Sequence, residues 1–250
     1  MTFRLPRTFQ EQDTAQAVRY LCAYYSRTLG LKAAGAPGVY SGEYFDPCGD
    51  DPSPHWFTPE DLFAVSCLST PIPAEAGIRL LRDGAVREKV AVLFEQIPRN
   101  VGLWELDDPR SQLGDFALER YLRKLPGIGE VRATKLIARK RPDIYPVVDR
   151  VVREVTGTST SEFTVPFAQA LREDNCALVA ELAALSARAG LPARISPLRV
   201  FDVVAWMEGT AKESDAYAAG YSIGEPGPSG RPRKYHSRKK RNQPTKIEIE

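Results

Sequence analysis

An all-α fold is predicted here by three observations. Apolar side chains recur at helical spacing, Gly and Pro stop signals follow those runs, and no segment shows the every-second-residue alternation of a half-buried strand. The first stripe is Val18, Leu21, Cys22, Tyr25 and Leu29, at i, i+3, i+4, i+7 and i+11. Val86, Val90, Leu93, Phe94 and Ile97 form a second such face. Leu178, Leu182, Leu185 and Ala189 form a third, ended by Gly190 and Pro192. Leu198 to Met207, with Phe201 and Trp206, is apolar on several faces, which places that helix at the centre of a packed body. With 250 residues, 43% of them hydrophobic, the chain can bury one sizeable core or two small helical lobes.

The most specific local pattern lies between residues 118 and 149. Leu118, Leu122 and Leu125 sit at helical spacing, Pro126 ends that helix, and Gly127 and Gly129 permit backbone angles closed to other residues. A second helix starts near Glu130, with Ala133, Leu136 and Ile137 inward and Arg132, Lys135, Arg139, Lys140 and Arg141 mostly on the other faces. Such a start presents free amides and a partial positive dipole beside cations, which together make a phosphate site needing no base recognition. Twenty positions past Gly129, Asp149 follows Val148 and precedes Arg150-Val151-Val152, where it reads as a helix N-cap.

Leu125-Pro126-Gly127-Ile128-Gly129 followed at this distance by Val148-Asp149 resembles the helix-hairpin-helix element of the endonuclease-III-like DNA glycosylase superfamily. Phe57 to Ser69 is similar to that family's early helix, and the chain also looks like a member of an uncharacterised bacterial family with this hairpin. The resemblance implies two helical lobes with a cleft between them: 57–148 as one lobe, 1–56 with 149–212 as the other. It implies DNA contact, mostly to the duplex backbone, through Gly127, Ile128, Gly129 and Val131, with Lys135, Arg139 and Lys140 adding charge. It also implies that Asp149 is the catalytic carboxylate, both capping its helix and projecting into the cleft. Two departures matter. Thr70-Pro71-Ile72-Pro73 stands where relatives continue with a gap-filling glutamine, and Val131 stands where bifunctional members keep a nucleophilic lysine. Without that amine there is no Schiff base, so the implied activity is monofunctional. The cysteine cluster of iron-sulfur relatives is missing too, so no cofactor is expected.

Residues 36 to 57 form the main irregular segment, rich in Gly, Pro and Asp yet carrying Tyr40, Tyr44, Phe45, His55, Trp56 and Phe57. In a glycosylase-like cleft Tyr40, Tyr44, Phe45 and Trp56 are candidates to stack on an extruded base; the alternative is that they anchor the loop to the helical body. His55 and His236 are the only histidines, and Cys22, Cys48, Cys67 and Cys176 make no ligand spacing, so neither a histidine triad nor a metal site is expected. No run approaches the length of a membrane span, which, with the isolated cysteines, predicts a cytoplasmic protein without membrane partners.

Charge is uneven along the chain. Residues 226–250 hold eight Lys and Arg against two Glu, a balance of +6 that leaves the other 225 residues at −4 of the overall +2. With four prolines and few large apolar residues, 213–250 is expected to be a disordered basic tail able to grip phosphate nonspecifically. Three function classes follow: a DNA glycosylase, a noncatalytic DNA-binding protein that keeps the hairpin but lost the chemistry, and a helical interaction module whose hairpin merely connects two helices.

Overall fold

The computed structural model describes residues 3–30, 40–49 and 53–219, without the side chains of 212–219. It is all-helical, with eleven α-helices and no strand among the described residues. In chain order they are α1 (Arg7–Gln10), α2 (Thr14–Tyr24), α3 (Pro59–Cys67), α4 (Ala74–Arg82), α5 (Gly84–Glu95), α6 (Pro109–Gln112), α7 (Ala117–Leu122), α8 (Glu130–Lys140), α9 (Arg150–Thr156), α10 (Thr164–Ala189) and α11 (Pro197–Ala219). The apolar stripes read from the sequence fall on α2, α5, α10 and α11. α10 is interrupted at Glu173–Cys176, where three successive residues take positive φ.

Helix starts are made by the side chains the sequence offers. Asp13 caps α2, Asp83 caps α5, and Thr58 with Asp61 forms a reciprocal capping box at α3. Packing follows the apolar faces. α11 packs on α2, α9 and α10, and α10 on α2, while α3 packs on α8, α4 on α5, α5 on α7 and α7 on α8. One continuous apolar core runs through both groups, from Phe9 and Leu21 to Leu136, Phe167 and Phe201. The central position expected for 198–207 is observed, since Val200, Val203, Val204 and Ala205 are fully buried.

One boundary differs from expectation. α11 continues to Ala219, past the expected tail start at 213; residues 220–250, which hold all the tail's cations, lie outside the described residues, as do 36–39 and 50–52 of the aromatic segment. Within that segment, Ser41–Tyr44 forms a short 3₁₀ turn that packs on α3.

Candidate functional site

α7 and α8 are joined by a tight connection in which Gly127 takes φ +80°, the left-handed region that glycine alone enters freely. A Cβ at Gly127 would meet Pro73 Cγ at 2.9 Å, so the glycine also allows the 70–73 segment to approach. Gly129 differs from expectation. Its backbone is extended (φ −86°, ψ −178°), and its value here is openness, because a Cβ would meet nothing within 4 Å. Gly129 is the N-cap of α8 and brings no capping side chain, so the first amides of that helix lack the usual partner. Ile128 is buried, and its N–H donates to Leu125 O at 3.0 Å, which removes one of the amides expected to point outward. Val131 is half-buried, and Glu130 in the first turn lies 3.6 Å from Arg123.

The cations of α8 are not where the sequence suggested. Lys135, Arg139 and Lys140 face inward rather than lying on the surface. Lys135 is 3% exposed; its Nζ donates to Leu68 O (3.2 Å) and Thr70 Oγ1 (2.8 Å). Arg139 pairs with Asp61 Oδ1 at 3.2 Å and donates to the carbonyls of Phe45, Asp46 and Cys48, tying that loop to the body. Lys140 pairs with the other Asp61 oxygen. The physical reason is mutual: Asp61 is buried by its capping box, and a buried carboxylate needs cations beside it. Arg132 likewise turns back, donating to Pro71 O (2.9 Å) and Gly127 O (3.1 Å). Together Arg132 and Lys135 fasten residues 68–71 onto the start of α8.

Asp149 is the N-cap of α9, its Oδ1 accepting from Val152 N at 3.1 Å. The same side chain lines a cavity of about 280 Å3. Tyr24 of α2, Tyr40, Ser41, Gly42, the Cys67–Ser69 end of α3, Lys135 of α8, and Asp202 and Trp206 of α11 surround it. Tyr40 stacks on Tyr24 (centroids 5.5 Å, 12° between planes), and Trp206 stands edge-on to both, at 5.6 and 6.0 Å. A flat ring system entering here would meet aromatic surface and the side chains of Lys135, Asp149 and Asp202. Burial pushes the Cys67 thiol up, away from the reactive thiolate. Burial drives Lys135 down from the usual ammonium range, against the pull of Asp149 and Asp202.

Of the four aromatic candidates, only Tyr40 reaches this cavity. Phe45 is core, lying 5.2 Å from the Arg199 guanidinium. Tyr44 is on the surface, and Trp56 is exposed beneath Arg87, at 5.5 Å. The sequence reading missed Tyr24, Trp206 and Asp202. A signal for the last was present: Arg199 and Asp202, three residues apart, interrupt a helix otherwise apolar on several sides, where charge must be paired or used. Arg199 pairs with Asp46 (3.1 Å) and with Asp202.

A family model described as a family of unknown function (DUF6308) matches residues 17–209, a stretch that includes every residue lining the cavity. The chain belongs to that family. No curated protein and no solved structure matches the chain. In this DUF6308 chain no helix among the described residues is long and apolar enough to cross a membrane, and no group of His, Cys, Asp or Glu there is placed to hold a metal ion.

Proposed function

We propose that this protein binds duplex DNA and acts on it as a monofunctional glycosylase, hydrolysing the N-glycosidic bond of a damaged or modified base in DNA repair. One observation carries the reading: Asp149 caps α9 and also lines an aromatic cavity, a second placement that capping does not require. Loss of a base gives C1′ oxocarbenium character; a carboxylate beside it stabilises that cation and deprotonates the attacking water. Tyr24, Tyr40 and Trp206 supply ring surface for an extruded base.

With the α8 cations committed internally, duplex contact falls to the uncapped start of α8 at Gly129, to exposed Arg123 and Lys124, and to the cations of 226–250. Val131 brings no amine, so the product is an intact strand with an abasic site. Four free thiols suit a cytoplasmic setting. The second reading, a noncatalytic DNA-binding protein, is favoured by the 68–73 segment, which is fastened over part of the hairpin turn by Arg132 and Lys135.

The test is a panel of lesion-bearing and modified duplexes assayed for alkali-sensitive sites. Abasic sites without strand breaks before alkali are expected. If none forms on any duplex while binding persists, the noncatalytic reading replaces this one.

A further inference from the structure

Asp202 and Glu43 each bury a carboxylate oxygen with nothing to hold, and of the two only Asp202 lines the Asp149 cavity. Asp202 Oδ1 accepts from Arg199 Nη1, while the buried Oδ2 has no hydrogen-bond partner. Asp61, buried to the same degree, has both oxygens engaged by cations. An unsatisfied buried carboxylate oxygen is costly unless the group is neutral or a ligand completes it, and Asp202 lines the Asp149 cavity.

Charge counting points the same way. Asp202 faces Arg199 on its own helix, Asp46 from the loop after the 3₁₀ turn, Asp149 ahead of α9, and across the cavity Lys135 of α8. Tyr24 and Tyr25 of α2 face the same cluster, and burial raises both hydroxyls, so they stay neutral. Three carboxylates against two cations leave one negative charge in excess, which a proton on Asp202, the one with an unpartnered oxygen, removes.

We propose that Asp202 is the general acid of this cavity, donating a hydrogen bond and then a proton from Oδ2 to an acceptor atom of the departing base. The inference rests on the glycosylase reading and narrows its substrate class to neutral bases with an acceptor nitrogen or oxygen on the inserted edge. As the C1′–N bond breaks, its electron pair stays with the base, and the Asp202 proton neutralises the charge that would develop. The water oxygen bonds to C1′ and its released proton goes to Asp149; proton exchange with solvent restores both carboxyls, and one water is consumed. Burial, opposed by Arg199 and reinforced by Asp46 and Asp149, raises the Asp202 carboxyl to about 7. The acid is therefore loaded below neutrality and lost above it.

The experiment compares wild type with Asp202→Asn on duplexes carrying neutral modified bases (uracil, hypoxanthine, 8-oxoguanine) and on a duplex carrying 7-methylguanine, whose ring already bears positive charge. Wild-type release of a neutral base should fall about tenfold per pH unit above about 7. Asp202→Asn should be slower by about 10²- to 10⁴-fold on it and lack that limb. Release of 7-methylguanine should be the same in wild type and Asp202→Asn at any one pH, a rescue that a merely structural role would not give. Equal loss on both substrates, or an unchanged limb in Asp202→Asn, overturns the proposal. So does a carboxyl ¹³C titration placing Asp202 in the ordinary carboxylate range, a readout that needs no turnover. Wild type that releases 7-methylguanine alone leaves the glycosylase reading standing and sinks the acid; release of nothing sinks both.

Discussion

Two buried charge clusters lie along α8, built from the same residue types and unlike in one respect. At the carboxyl end Arg139 and Lys140 saturate Asp61, whose remaining contacts are the amide and hydroxyl of Thr58. One turn earlier Lys135 lines an open cavity with Asp149 and Asp202, and a buried oxygen of Asp202 is unsatisfied. The closed cluster is architecture: it joins α3, α8 and the 45–48 loop. In the open one, polar groups are held in place by neighbours and still lack partners, as a ligand site requires. Burial of charge alone does not mark function; incomplete satisfaction beside a cavity does.

The largest effect separating the clusters should come from Asp61→Ala. It takes the carboxylate away from two buried cations and removes the α3 capping box, at a cost of about 3–5 kcal/mol. Denaturant melts would measure it, and a loss under about 1 kcal/mol would mean that the cluster is looser than its geometry. Tyr40→Ala at the open cluster should do the opposite, weakening engagement of a flipped base by roughly 1–3 kcal/mol with little change in melting. Tyr40 is half-buried and stacked on one ring, so the body does not depend on it. Equal damage to stability and binding would reduce Tyr40 to a loop anchor.

The smallest effect is expected at the amino end of α8. Gly129→Val has room for its side chain and needs no positive φ, so the fold should survive while duplex affinity drops about tenfold, or about 1.4 kcal/mol. Unchanged affinity in the folded variant would remove the hairpin from the DNA-binding account.

Helix positions and the Asp149 cap were legible because they depend on local signals: apolar periodicity, stop residues, and a short polar side chain ahead of a helix. The direction of the α8 cations was not. Helical phase puts Lys135, Arg139 and Lys140 off the apolar stripe, which reads as solvent, and only the distant partners Asp61, Thr70 and the 45–48 carbonyls turn them inward. Gly129 misled for a related reason, since openness and positive φ leave the same residue in the sequence. The cavity aromatics come from three separate segments, at 24, 40 and 206, and no local pattern joins them.

The central claim is that Asp149 does chemistry as well as capping. Base release from a wild-type substrate duplex, compared with Asp149→Asn alongside the melting temperature of each, tests it most directly. Asparagine caps about as well as aspartate but cannot take a proton from water. The account predicts that release is abolished while stability changes by less than the roughly 1 kcal/mol a lost cap costs. A fully active Asp149→Asn enzyme would contradict it.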